Sequence, residues 1–173
     1  MTPQSVVLLA RYNRWMNERL FGAAARLGHG ELVADKGAFF GSILATLNHI
    51  AVADTVWLRR FARHEAGFPR LAPVEALPHP ASLTHPFADD LAGLADYRRT
   101  LDALIEHWAD GLGPRHLEGE LTYRNLAGVA SRKPFAGLVQ HFFNHQTHHR
   151  GQVTTLLHQS GVDVGVTDLF ALL

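Results

Sequence analysis

Residues 134–161 read PFAGLVQHFFNHQTHHRGQVTTLLHQSG and predict one long helix. A proline opens this stretch, no other proline interrupts it, and Gly161 follows its last apolar residues, as expected for the start and stop of a helix. Apolar side chains recur every three or four positions within it. We therefore expect the helix to run from Pro134 to about Ser160.

Three histidines lie on one face of this predicted helix. Each step of four residues turns by only about 40° around the axis, so His141, His145 and His149 form one stripe. The side chains that flank the stripe are apolar: Leu138, Phe142, Val153 and Leu156. Two imidazoles one turn apart can bind one transition-metal ion, whereas His148 is expected at the periphery. The alternative is that one or two of the stripe histidines are core residues satisfied by hydrogen bonds.

Three further segments show helical periodicity without an internal proline, at roughly residues 3–27, 38–64 and 87–109. Four helices of about 25 residues would each be about 38 Å long, which are the proportions of a four-helix bundle. The second and third are separated by some twenty residues that include five prolines. Extended at about 3.3 Å per residue, this linker can traverse the bundle. We therefore expect an all-α fold, a four-helix bundle with up-down-down-up topology.

Smaller elements are predicted around the fourth helix. Residues 121–123 and 128–130 indicate a small β-hairpin before it, with a turn at Arg124 and Asn125. Residues 167–173 indicate a short C-terminal helix. There is no repeat or low-complexity segment, so residues 1–173 are expected to form a single domain.

Composition excludes several classes of protein. The hydrophobic fraction of 47% indicates a globular chain, and the formal net charge of +0 removes the electrostatic argument for a nucleic-acid or anionic-membrane partner. The chain has no cysteine, which excludes disulfides, thiolate ligands and a cysteine nucleophile. No signal peptide or membrane span is expected, so a cytoplasmic location is the default.

A third metal ligand is expected from another helix, and His49 is the candidate. Small or β-branched residues share its face: Ser42, Ala45, Val52, Ala53 and Val56. They leave the room that a metal with an open coordination position needs. The alternative is a packed core histidine bonded to a neighbouring carbonyl.

Two familiar metal sites lack a required residue. A zincin protease needs a glutamate where this chain has Gln146, and ferritin-like di-iron sites need a glutamate three residues before a histidine, which occurs nowhere here. The remaining interpretation is a mononuclear site with three histidines and an open position. Imidazole suits zinc, nickel, copper and iron alike, so the residues leave the ion open.

Over nearly its whole length the chain resembles the DinB/YfiT-like family of metal-binding proteins. Four stretches carry the resemblance: residues 12–17 (YNRWMN), residues 47–50 (LNHI) followed by Trp57, residues 122–128 (TYRNLAG), and residues 141–152 (HFFNHQTHHRGQ). The last is the most specific, given its place near the C-terminus after a histidine-bearing second helix.

The resemblance implies the four-helix bundle with the same crossover, and frequently a homodimer. It implies a divalent metal ion, commonly zinc or nickel, held by His49, His145 and His149. His141 lies outside this set and is expected beside the ligands or in the core. Some relatives of this fold are transferases or isomerases that use a low-molecular-weight thiol.

Three functional interpretations stay open. The first is a metal-dependent thiol transferase or hydrolase acting on a small molecule, with no convincing general base beyond the metal. The second is a non-catalytic metal-binding protein of the stress response, and the third is a set of structural histidines. Five residues are candidates to line a pocket: Tyr12, Trp15, Asn48, Asn144 and Gln152. If the three histidines bind a metal, its occupancy is expected to fall as the pH drops through about 6.

Overall fold

The computed structural model describes residues 1–125 and 127–173 and is mostly helical. Its α-helices are α1 (Pro3–Ala24), α2 (His29–Val33), α3 (Ile43–Phe61), α4 (Leu91–Ala109) and α5 (Phe135–Gln159). Three short 3₁₀ segments span Pro69–Ala76, Pro114–Leu117 and Leu169–Leu172. Two antiparallel strands, β1 (Glu120–Arg124) and β2 (Ala130–Pro134), precede α5. None of the helices in this described part is both long and apolar enough to cross a membrane.

Polar caps set the starts of three long helices. The hydroxyl of Thr2 accepts a hydrogen bond from the Ser5 backbone N–H at 3.2 Å, and Pro3 occupies the first turn of α1. Ser42 and Asp90 cap α3 and α4 in the same manner. Because these side chains satisfy N–H groups that lack a helical partner, α3 starts at residue 43 rather than 38, and α4 at 91 rather than 87.

Each of the four long helices packs against two others: α1 and α3 both contact α4 and α5. Aromatic rings fill one end of the core, where fully buried Phe61 meets Trp108, Phe135 and Phe142 with ring centroids 5.3–5.6 Å apart. These side chains come from α3, α4 and α5. Burial of so much apolar surface contributes a large part of the stability of the fold.

A buried ionic cluster lies elsewhere in the core, between α1, α3 and α4. Arg98 of α4 pairs with Asp54 of α3 at 2.5 Å and with Asp102 at 3.0 Å. The amides of Asn13 and Asn17 of α1 both donate to Asp102 at 2.9 Å. The charges are therefore paired and hydrogen-bonded, as buried charges must be.

Two predicted elements differ from the structure. The second strand lies at Ala130–Pro134 and not at residues 128–130, because Gly128 has a φ of 79° and belongs to the turn. The Asn125 side chain closes this turn by accepting from the Val129 N–H at 2.9 Å. Leu126, within the stretch that supported the resemblance, lies outside the described residues. The predicted C-terminal helix is a single 3₁₀ turn, Leu169–Leu172, with no buried residue.

Asn48 of α3 makes several hydrogen bonds to the linker between α3 and α4. The Asn48 carbonyl oxygen accepts from the backbone N–H groups of Phe87 and Ala88 at 2.8 and 3.3 Å, and its amide donates to the Ala88 carbonyl at 3.0 Å. Because His49 follows Asn48, these bonds hold the linker beside that histidine.

Candidate metal centre

The structure brings His49, His145 and His149 together. Each offers one ring nitrogen to a cluster in which these atoms lie within 4.8 Å of one another. His49 comes from α3, and the other two lie one turn apart on α5. His49 and His149 are buried and His145 is half-buried. The neighbouring faces of the two packed helices thus form one cluster of three imidazoles.

Hydrogen bonds set which nitrogen of two of these rings faces the cluster. Nδ1 of His49 lies 2.9 Å from the Leu83 carbonyl oxygen, which can only accept, so Nδ1 carries the proton. Nδ1 of His149 lies 2.7 Å from the Gln152 side-chain oxygen, in the same arrangement. In a neutral imidazole the other nitrogen, Nε2, is then an unprotonated acceptor. Outer partners of this kind orient histidines that bind metals.

The facing nitrogens of two histidines test the fit to a metal ion. Nε2 of His49 lies 3.3 Å from Nε2 of His145. Two lone pairs at this separation repel each other unless a proton or a cation lies between them. Neutral imidazole nitrogens are preferred ligands of zinc, nickel and other transition metals. The donor set therefore fits such an ion.

Burial keeps these imidazoles neutral. Together with the neighbouring histidines, His149 foremost, it lowers the pKa of His145 to about 3. Burial also lowers the pKa of His49 and of His149, opposed by their bonds to the Leu83 carbonyl and to Gln152. All three rings are consequently in the neutral form, with one unprotonated nitrogen, that a metal requires.

Phe40 forms one wall of the cluster and was missed from the sequence. Its ring stacks on His49 with centroids 3.9 Å apart and meets the edge of His149 at 5.5 Å. Residues 38–42 were included in a predicted helix, yet they form the segment that precedes it. Ser42 directly before an apolar run is an N-cap signal, and it would have placed Phe40 outside the helix.

A cleft of about 430 Å³ opens onto two of the three histidines. Its lining residues are His49, Ala53, Val56, Trp57, Arg60, Leu83, Tyr123, Asn125, Ala127, His141 and His145. Trp57 forms an aromatic wall with Tyr123 and His141, at centroid distances of 5.3 and 5.2 Å. No carboxylate stands in this described lining, so proton transfer within it falls to imidazole or to the Tyr123 hydroxyl.

The remaining predicted residues have other places. His141 is exposed and lines the cleft 6.0 Å from the His145 ring, so it lies beside the candidate ligands and not in the core. His148 is exposed, as predicted. Five residues expected to line a pocket are not among those that line this cleft: Tyr12, Trp15, Asn48, Asn144 and Gln152. Gln152 instead orients His149 from behind.

Comparison with known proteins gives one family. The model of the DinB family matches residues 1–173. The chain is 26% identical over 161 residues to Protein DinB of Bacillus subtilis (strain 168), an alignment that covers 92% of this chain and 88% of that protein. No solved structure matches the chain.

Proposed function

The chain belongs to the DinB family, and on that premise we propose that it binds one divalent transition-metal ion through His49, His145 and His149. The ion would serve a metal-dependent reaction of a small molecule. Transfer of a low-molecular-weight thiol is the first candidate reaction, and hydrolysis is the second.

The pair of Nε2 atoms of His49 and His145, 3.3 Å apart, carries this proposal. His49 holds its single proton on the opposite nitrogen, where the Leu83 carbonyl accepts it. With the proton of His145 on Nδ1 as well, the two Nε2 lone pairs face each other, and a cation shared with His149 would relieve their repulsion. It also explains why three imidazoles gather where burial disfavours their own charge.

The metal supplies Lewis-acid chemistry, since three neutral imidazoles leave its charge uncompensated and it lowers the pKa of a bound thiol or water. The protein's own groups prepare the site. Leu83 and Gln152 fix the rings of His49 and His149, and Phe40 excludes water from one side. The cleft beside His145 admits the substrate. The chain lacks cysteine, so a reacting thiol would come from outside.

The cleft favours an enzyme over a non-catalytic metal-binding protein, which would be expected to have a sealed site. We propose zinc or nickel as the ion, because imidazole nitrogen suits both. We further propose a cytoplasmic homodimer that acts in a stress response, with neither nucleic acid nor a membrane as partner. The exposed apolar side chains Phe39, Phe170 and Leu173 are candidates for the dimer interface.

We also propose that the long helices form a four-helix bundle with up-down-down-up topology. Two contacts along α3 and α4 run in the same direction: Asp54 meets Arg98, and Phe61 meets Trp108. Along α3 and α5 the order is reversed, since His49 meets His149 whereas Phe61 meets Phe135. Parallel α3 and α4 agree with a linker that crosses the bundle.

Elemental analysis of the purified protein tests the site. We expect about one equivalent of metal, lost in His49→Ala, His145→Ala and His149→Ala and retained in His148→Ala, which removes an exposed histidine of the same helix. An assay with several thiols and an electrophile then tests the reaction. A protein that binds metal but turns over no substrate would favour the non-catalytic interpretation. A correctly folded protein that binds no metal would favour the interpretation that the histidines are structural.

A further inference from the structure

Arg60 stands in the same cleft as the candidate metal ligands. It lies eleven residues after His49 on α3, about 16 Å along the helix axis at 1.5 Å per residue. Ala53 and Trp57 lie between them and line the same cleft. The cleft thus extends along α3 from the imidazole cluster to a guanidinium group.

Two aromatic rings hold that guanidinium in place. Its central carbon lies 4.6 Å from the ring centroid of Trp57 and 4.8 Å from that of Tyr123. The two rings themselves meet edge to face at 5.3 Å. Stacking on aromatic faces restricts an arginine side chain while leaving its N–H donors at the edge of the group available.

Arg60 has no carboxylate partner among residues 1–125 and 127–173. Other arginines of this described part pair with aspartate or glutamate within 4.0 Å: Arg14, Arg59, Arg98, Arg99 and Arg132. Arg60 is half-buried, and burial lowers its pKa, but arginine still stays charged at physiological pH. The guanidinium is therefore partly desolvated and unneutralised.

The cleft is electropositive for this reason. Arg60 contributes the only formal charge among its described lining residues when the histidines are neutral, and Asn125 adds an amide. A cleft with one sign of charge and walls of low polarity concentrates ligands of the opposite sign. Arginine is also the residue best suited to bind a carboxylate, through two parallel N–H donors.

We propose that Arg60 binds a carboxylate of the substrate and thereby selects anionic, elongated small molecules. The carboxylate would lie at one end of the cleft, and the reacting group would lie beside His49 and His145. The position of the reacting group rests on the function proposed above, whereas the anion site stands without it. Contacts remote from the reacting atoms are a usual source of specificity.

Titration followed by nuclear magnetic resonance tests the anion site directly. The probes are hexanoate and the neutral, nearly isosteric hexanamide, and the readout is the set of tryptophan indole signals, which includes Trp57 beside Arg60. The full-length protein is titrated both as purified and after chelation of metal. We expect hexanoate to shift the Trp57 signal and to bind about tenfold more tightly than hexanamide in both preparations.

Two variants assign that preference to one residue. Arg60→Gln is expected to bind hexanoate and hexanamide equally, with an unchanged circular dichroism spectrum and melting temperature. Arg63→Gln removes the same charge from an exposed arginine three residues later and is expected to keep the preference. Equal binding of the two probes by the unmodified protein, or a preference that persists in Arg60→Gln, would overturn the proposal.

The chelated protein separates this inference from the metal proposal. Preference for hexanoate after chelation supports the anion site whether or not the three histidines bind metal. Preference that disappears on chelation would show that the carboxylate binds the metal instead, and would overturn the role of Arg60.

Discussion

The side-chain oxygen of Gln152 lies 2.7 Å from Nδ1 of His149, three residues earlier on α5. This bond leaves Nε2 of His149 unprotonated and thus available to a metal shared with His49 and His145. The Leu83 carbonyl performs the same task for His49 from the linker between α3 and α4. The candidate site therefore depends on residues beyond the three histidines.

Replacing Gln152 tests this dependence. We expect Gln152→Ala to weaken metal binding by about tenfold or more, because outer partners of histidine ligands commonly contribute that much. Gln152→Glu keeps an acceptor at the same position and should retain the affinity. Competition with a chromophoric chelator measures both.

Gln140→Ala serves as the control, since Gln140 is an exposed residue of the same helix whose side chain donates to Asn144. Equal affinity of the unmodified protein and Gln152→Ala would show that the bond at His149 does not support metal binding.

The candidate ligands could be predicted from sequence because helical spacing constrains them. His145 and His149 share a face wherever the helix begins or ends, and His49 lies in an apolar segment that must pack against them. The cleft could not be predicted, because Leu83 and Tyr123 approach from a linker and a strand. Their positions depend on tertiary contacts such as the Asn48 bonds to the linker.

Helix existence was likewise easier to predict than helix limits. The apolar period located the long helices, but the period alone cannot show that the Ser42 cap excludes Phe40 from α3. The second strand of the hairpin was predicted to start too early, because the positive φ that places Gly128 in the turn is visible only in the folded structure. Local hydrogen bonds determined these limits, whereas hydrophobic burial determined the helices.

Phe61 tests the aromatic core. It is fully buried between Trp108, Phe135 and Phe142. We expect Phe61→Ala to lower the free energy of unfolding by about 3–5 kcal/mol, since the variant loses buried apolar surface and ring contacts and leaves a cavity. Urea denaturation measures the change.

Val166→Ala is the control, because that side chain is 52% exposed and is not among the residues proposed for the dimer interface. It should change the free energy of unfolding by less than about 0.5 kcal/mol. Similar losses in the two variants would contradict the placement of Phe61 at the centre of the core.

Asp102 makes the free energy of unfolding depend on pH. Burial raises its pKa from 3.8 to about 6, although Arg98 and Asn17 favour the charged form. The folded protein therefore keeps a proton over a range in which the unfolded chain has lost it. The free energy of unfolding should fall as the pH rises from about 4 to about 6, by an amount on the order of 3 kcal/mol from this group.

Asp102→Asn should flatten the stability profile in that window, and Asp110→Asn, an exposed change at the end of the same helix, should leave it as it is. Urea denaturation at a series of pH values provides the comparison. Parallel profiles for the unmodified protein and Asp102→Asn would refute the raised pKa.

Metal release on acidification tests the electrostatics of the three histidines. Protons compete with a metal only where they can bind the imidazoles, and burial lowers the pKa of all three rings, that of His145 to about 3. Competition should therefore begin below the pKa of about 6.5 of an ordinary histidine. The expectation from sequence, release near pH 6, is accordingly moved to lower pH.

We expect metal content after dialysis to be the same at pH 7 and at about pH 5.5, and to fall steeply below that. Release centred near pH 6.5 would contradict the effect of burial, whereas full retention below the pKa of about 3 of His145 would contradict ligation by three histidines.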